Sequence, residues 1–572
     1  MKKIVIIFVA VLLSVGSAVA QIPSLIEISG EFLQQYFNND FSQVLAYTAQ
    51  GTDTIVLTTG GYVYSTADTV PMVIENPVVI MAAEGLAEKP IFTHRNTGFA
   101  SGEPSSSMEI FRVCNDVEFH GIAFMGGIEE TAGCKYGLRY GDWTVPGTGR
   151  VIKAKTGTRM VFEDCHFEGF HSLKDQDAQG NVIYYLRPDN TAEDHLRNTK
   201  VVFNNCTFKD IGDEAIRISE NEKYGGVNGV VACDSLVVTN CTFDDIDAEC
   251  IRIYGDKDTS SVGDTFIDGT ILVDHVTVVN SSPRFFYGKN FRNTTLRNIL
   301  IAYGREPGIN RPDRGDFAIQ AQLSGSTVAH VDTFALVFTL YYDKRIGSTK
   351  GGFVDEATIY GYDPKFVDHE NGDYTLAADS PLYWLSSDGT AIGDLRWATN
   401  TPSTAPLTVT IEGSGEVTFD PETDGFYALN TVVTLTAVPE AGWVFSGWSG
   451  DLTGSDNPAT VTVDAAKYIT ATFEPSSGIT IENIPKEYRL AQNFPNPFNP
   501  ATTIEYDLKQ AGWTTLNVYN MLGQEVATLI NRHLEAGRYS ICFNASQLSS
   551  GIYYYRLKSG DFNSLKKMVL IK

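Results

Sequence analysis

The sequence predicts an all-β chain: a right-handed parallel β-helix takes most of the length, and two small β-modules follow. Three observations carry this. Six hexapeptides share one grammar, at Phe119–Phe124, Phe162–Phe167, Phe203–Phe208, Val238–Phe243, Val273–Val278 and Leu296–Ile301. Two fifteen-residue stretches, Asn205–Ser219 and Asn240–Tyr254, align without a gap 35 residues apart. Beyond residue 400 the text changes to short alternating strands punctuated by Gly, Pro and Asn.

In each hexapeptide, positions one, four and six are apolar. Position three is Gly121, Asp164, Asn205, Asn240, His275 or Asn298. That reads as a strand, a sharp bend at a residue tolerant of left-handed backbone, and a second strand. Successive starts lie 43, 41, 35, 35 and 23 residues apart. A fixed short register with variable coil length is what stacked coils with loops on one side produce. Position four becomes an internal ladder of Ile122, Cys165, Cys206, Cys241, Val276 and Ile299, and position six one of Phe124, Phe167, Phe208, Phe243, Val278 and Ile301. The ladder cysteines are expected to be buried small hydrophobes rather than disulfides or ligands. The sequons at Asn205 and Asn240 are read as bends.

The ungapped repeat supplies the candidate site. Ile216 and Ile218, with Ile251 and Ile253, must point inward, so alternation puts Arg217 and Arg252 outward, one above the other. Arg139, Arg187 and Arg284 are expected to continue the row. Just upstream, Asp210, Asp213 and Glu214 sit over Asp245, Asp247 and Glu249. Stacked arginines repel unless something anionic lies between them. Two readings stay open: the flanking acids neutralise the row in an ion-pair ladder, or the row binds the carboxylates of a uronic-acid polysaccharide through fork-to-carboxylate geometry. On the second reading Arg217 and Arg252 are the catalytic candidates, and Arg139, Arg187, Arg284, Tyr254, Glu214 and Glu249 line the substrate. Asp210, Asp213, Asp245 and Asp247, with Glu249, could supply oxygens to Ca²⁺.

Composition bounds the function. The 572 residues hold 43 Lys+Arg against 69 Asp+Glu, a net charge of −26. That argues against a nucleic-acid binder, and against polyanion binding without a local basic strip or a bridging cation. At the N-terminus, Lys2 and Lys3, an apolar run from Ile4 to Val15, and Ala18-Val19-Ala20 read as a signal peptide over residues 1–20. No later stretch reads as a transmembrane helix. Domain expectations are a β-helix over 21–400, a β-module over 405–475 and a last module over 486–572, in a secreted or surface-exposed protein that acts as a monomer.

In the penultimate module, LTVTI, GEVTF, TVVTLTAV and YITATF surround GWVFSGWSGDLTG. This resembles divergent internalin-type β-repeats, which implies a spacer or adhesive domain. Trp443 and Trp448 are read as core residues rather than sugar platforms. In the last module, NFPNPFNPATTI, VYNMLGQEV, LSSGIYYYRL and KKMVLIK follow in order. They resemble the type IX secretion C-terminal sorting domain, an Ig-like β-sandwich. That resemblance implies export through the type IX machinery, then release or surface attachment. Within Arg538–Lys572 the only acid is Asp561, against six Lys and Arg.

The solenoid grammar resembles the pectate-lyase-like right-handed β-helix superfamily over Thr54–Ile301, continuing to about Trp397 through KFVDHENGDYTLAADSPL and AIGDLRW. This implies an enzyme that cleaves acidic polysaccharide by β-elimination: a base takes the C5 proton and positive groups stabilise the enolate-like intermediate. Ordinary arginine is a poor base, and Lys223, Lys257, His166 and Tyr254 are further proton-carrier candidates. Gly212-Asp-Glu-Ala-Ile-Arg-Ile218 loosely resembles a polygalacturonase strand, which would make the protein a paired-carboxylate hydrolase. The non-enzymatic alternative is a glycan-binding protein or adhesin.

Overall fold

The computed structural model describes residues 24–50, 53–65, 70–94, 109–129, 132–134, 136–155, 157–171, 180–185, 199–218, 234–254, 270–281, 285–289, 294–304, 319–322, 328–331, 333–339, 346–350, 358–360, 362–476 and 485–572. The chain divides into two compact units, Met1–Pro402 and Ser403–Lys572.

The first unit is a parallel β-helix with three strand columns. A central coil shows the plan: Lys200–Asn204, then Thr207–Ile211, then Ile216–Ile218. Columns one and two merge into a 17-stranded sheet, and column three is a nine-stranded sheet. Strands pair in parallel from coil to coil, so equivalent residues stand in lines: Phe119, Phe162, Phe203, Val238, Val273 and Leu296 succeed one another in register.

The corner between columns one and two is the predicted bend. Gly121, Asp164, Asn205, Asn240, His275 and Asn298 all hold left-handed backbone, with φ between 50° and 68°. For most L-residues this costs roughly 1–2 kcal/mol, and Gly, Asn and Asp pay least. A second left-handed corner follows five residues later, at Gly169, Asp210, Asp245, Asn280 and Tyr303. The sequence pattern did not flag this second line, which takes two of the residues expected to serve calcium.

Between the corners the core is a run of stacked rings. Phe162 and Phe203 lie 4.6 Å apart at 14°, Phe167 and Phe208 5.1 Å apart at 12°, and Phe208 and Phe243 4.5 Å apart at 4°. Burying each such ring contributes about 2–3 kcal/mol. Cys165, Cys206 and Cys241 are free and buried among them, as expected. Burial pushes the Cys206 and Cys241 thiols well above their ordinary range, so they are inert. A helix at Gly30–Phe37, capped by Ser29 Oγ accepting from the Phe32 N–H, and a short one at Phe41–Leu45 join this core. Neither helix was anticipated.

Residues after Tyr362 turn back along column two. Gly393 N–H donates to the Asn298 carbonyl (3.0 Å), and Asp394 N–H donates to Thr277 Oγ1 (2.9 Å). Thr242 Oγ1 donates to Asp394 Oδ2 (2.6 Å), and Trp397 Nε1 donates to Thr242 Oγ1 (2.7 Å). Arg396 donates to the carbonyls of Asn205 (2.6 Å) and Cys206 (2.8 Å). The AIGDLRW segment is thus a strap fastened to four successive coils, seated on the outward Thr207–Thr242–Thr277 line.

In the second unit, Thr404–Pro475 forms a four-stranded and a three-stranded sheet. Trp448 is buried and donates Nε1–H to the Asp456 carbonyl (2.8 Å), while Trp443 is half-buried. The last module packs a three-stranded sheet (Arg489–Leu490, Ala501–Leu508, Gly537–Asn544) and a four-stranded one (Glu525–Leu534, Gly512–Tyr519, Gly551–Ser559, Phe562–Leu570) around Tyr506, Leu516, Tyr555 and Met568. The NFPNPFNP segment is fastened by Asn493, whose backbone N–H donates to Tyr555 Oη (2.8 Å) and whose side chain donates to Thr502 Oγ1 (2.9 Å).

The corner predicts a sharp substitution profile. Asn240→Val should destabilise the solenoid by about 1–2 kcal/mol, because a β-branched residue cannot relax at φ 50°. Asn240→Gly should be close to neutral. Urea unfolding of the two variants distinguishes them, and equal losses would refute the corner argument.

Candidate functional site

The site lies on the outward side of column three. Register places Arg112 beside Arg139, Arg139 beside Tyr184, Tyr184 beside Arg217, Arg217 beside Arg252, and Arg252 beside Tyr287. Each side chain points out because its neighbours, such as Leu138, Ile183, Ile216 and Ile251, fill the core. Arg217 and Arg252 therefore stack as predicted. Arg187 and Arg284 lie outside the described residues, and the row positions assigned to them belong to Tyr184 and Tyr287. The physical reason is spacing: Arg187 falls three residues past the row and Arg284 three before it.

The repulsion between stacked guanidiniums is solved in two ways. Glu109 bridges Arg112 (2.5 Å) and Arg139 (2.9 Å). Glu214 bridges Arg217 (3.0 Å) and Arg252 (2.6 Å), and Asp213 adds a second carboxylate to Arg217 (3.2 Å). Both bridging glutamates are fully buried. Tyr184 then separates the two clusters, with guanidinium carbons 5.6 Å (Arg139) and 5.3 Å (Arg217) from its ring centroid. Arg252 lies 5.7 Å from the Tyr287 ring, and Arg112 lies 4.9 Å from Trp143 and donates to the Asp142 carbonyl (2.6 Å). Four guanidiniums thus share the row with four carboxylates, counting Glu249, buried where Glu214 stands relative to Arg217.

The two clusters differ electrostatically. Burial pushes the Glu109 carboxyl above the usual range against the pull of Arg112 and Arg139, and it pushes Arg112 below its own. At Arg217 burial acts in the same sense, but Glu214 and Asp213 outweigh it and raise the pKa. Arg217 is therefore held firmly charged, the wrong state for a base. Glu214 has no solvent access, and Asp213 is nearly as buried and tied to Arg217. Neither is set up as one of a pair of hydrolytic acids.

The remaining candidates scatter. Asp210 and Asp245 occupy the second left-handed corner, where Asp210 accepts from His171 Nε2 (2.8 Å). The Asp210 hydrogen bond, with the fields of Asp210, Asp247 and Asp245, raises the His171 pKa against its burial. Asp247 is exposed. Among the described residues, no three His, Cys, Asp or Glu groups converge as metal ligands. His166 pairs with Glu168 (2.7 Å) on column two, away from the row. Lys223, Lys257 and the Tyr254 side chain lie outside the described residues.

Sequence reasoning missed Glu109, Arg112, Tyr184 and Tyr287. The signal for the first two was present: Glu109-Ile-Phe-Arg112 repeats the Glu-x-x-Arg spacing of Glu214–Arg217 and Glu249–Arg252.

Glu214→Gln should cost the solenoid about 3 kcal/mol, because it strands two partly buried guanidiniums. Glu75→Gln, at the exposed Arg150 pair, should cost under about 1 kcal/mol. Equal shifts in denaturant midpoint would refute the bridging role. For His171, the raised pKa means the Asp210 pairing stabilises below the ordinary histidine range and is lost as pH rises through the raised value. Asp210→Asn should bring the His171 titration, followed by NMR, down toward the ordinary value.

Comparison with known proteins matches two segments. Residues 405–477 match the family model of the divergent InlB B-repeat domain, and residues 492–572 match that of the secretion system C-terminal sorting domain. No pectate-lyase family model matches the solenoid, and no curated protein matches the chain. The sorting domain marks the chain for export by the type IX machinery, to the cell surface or beyond it.

Proposed function

We propose that the exported β-helix is a non-catalytic polysaccharide-binding protein that holds an extended glycan along the column-three row. One observation carries this reading: over six coils the row runs Arg, Arg, Tyr, Arg, Arg, Tyr in register, with every arginine already matched to a carboxylate. A charge-balanced line of planar groups suits stacking against sugar faces and hydrogen bonding to hydroxyls. It is less suited to drawing in a dense polyuronate, whose carboxylates would have to displace Glu109 or Glu214. Arg112, Arg139 and Tyr287 are buried, so a glycan meets the row at Arg217 and Arg252, each about one-fifth exposed, and at half-buried Tyr184 between the two clusters. Delivery to the surface supports a role outside the cell.

The β-elimination reading keeps one supporting feature, the adjacent Arg217 and Arg252, which could clamp a uronate carboxylate. Among the described residues of the row there is no Lys or His to take the C5 proton.

Affinity electrophoresis of the full chain against xylan, β-glucan, pectin and alginate tests the proposal, run beside an absorbance assay for unsaturated uronates. Retardation by at least one neutral glycan, with no unsaturated product, is expected. Tyr184→Ala should weaken that binding about ten-fold, the loss of one stacking contact of about 1.4 kcal/mol. Retardation by none of the four polymers would refute the binding role, and release of unsaturated uronate would establish the lyase instead.

A further inference from the structure

The sorting domain carries charge of the opposite sign to the rest of the chain. Residues 485–572 hold ten Lys and Arg against six Asp and Glu, while the whole chain holds 43 against 69. Part of the excess is concentrated on one face. In Gly551–Ser559, Tyr553, Tyr555 and Leu557 are buried in the core, so Tyr554, Arg556 and Lys558 point out from the four-stranded sheet. Register sets Lys567 beside Tyr554, Leu565 and Asn517 on either side of Arg556, and Thr515 and Asn563 on either side of Lys558.

The face is also aromatic. Trp513 is 62% exposed, Leu565 is 49% exposed, and the Arg556 guanidinium lies 5.2 Å from the Tyr519 ring. Its one acid in these registers, Glu525, is occupied by hydrogen bonds from Asn517 and Thr528. Among the described residues, no carboxylate stands within ion-pair distance of Arg556, Lys558 or Lys567. This inverts the solenoid row, where each arginine has its acid.

We propose that this outer sheet face is the docking surface by which the sorting domain is read, and that its occupant is an acidic protein surface of the export apparatus. Unneutralised cations select a partner by sign and speed its encounter. Trp, Tyr and Arg are the residues that carry binding energy at protein interfaces. The rest of the chain carries the opposite net sign, so the sign of the face helps to separate signal from cargo.

The full-length chain, expressed in a type IX-competent host, tests this through the fraction exported. R556E/K558E/K567E should lower that fraction about ten-fold or more, with full-length, protease-resistant protein retained in the periplasm. K486E/K509E/R538E makes the same charge change on the other sheet and its flanking turns, and should be exported like the parent chain. Normal export of the first triple, or equal loss in both, overturns the proposal. Should the first triple prove protease-sensitive, R556Q/K558Q/K567Q decides: reduced export of a folded protein supports the face, and unchanged export overturns it. If the parent chain floats with anionic lipid vesicles and the first triple does not, the face belongs to a membrane and the protein-docking proposal falls.

Discussion

Everything in the solenoid depends on left-handed corners that hold successive coils in parallel register. Once Gly121, Asp164, Asn205, Asn240, His275 and Asn298 turn the chain the same way, each position meets its own equivalent one strand spacing away. Inside, that constraint is favourable, because identical rings stack and exclude water. Outside it is dangerous, because identical charges also stack. Glu109, Glu214 and Tyr184 are best understood as answers to a problem the corners create. The bridging carboxylates do not decorate an arginine site; they permit the arginines to share a line at all.

The strap answers a related difficulty. A stack of coils has only nearest-neighbour contacts, so nothing local stops one coil from opening. The segment from Gly393 to Trp397 bonds four successive coils, with buried Asp394 at its centre and Arg396 reaching two corner-region carbonyls. Burial works against the charge on Arg396, but the hydrogen bonds and field of Asp394 raise its pKa and keep it ionised. Contacts far apart in sequence thus tie together coils that the parallel ladder joins only in pairs.

Much of this was legible in the sequence, and the limits have physical causes. The first corner was readable because Asn, Asp and Gly at a fixed hexapeptide position report left-handed backbone directly. The second corner was hidden: Asp210 and Asp245 carry the same signal, but beside arginines they read as acids awaiting a cation. The Arg217–Arg252 stack was readable from alternation within an ungapped repeat. Its extension was not, because loops of different length shift the count, so Tyr184 and Tyr287 occupy the line where Arg187 and Arg284 were expected. Burial of Glu214 was likewise invisible, since spacing says which groups meet but not how much water remains between them.

The same chain uses arginine in two opposed ways, and the contrast bears on where recognition by charge resides. In the solenoid each guanidinium of the row is held by a carboxylate and packed against an aromatic plane, so a ligand there gains little from Coulomb attraction and must be read by shape and stacking. In the sorting domain Arg556 keeps the aromatic plane, Tyr519, but among the described residues no carboxylate stands within ion-pair distance of it. Removing one partner from an otherwise similar arrangement turns a self-satisfied group into one that attracts an outside anion. A net charge of −26 for the whole chain conceals both facts. What a partner meets is set by which cations lack acids, and among the described residues Arg556, Lys558 and Lys567 on the outer sheet of the last domain have no carboxylate within ion-pair distance.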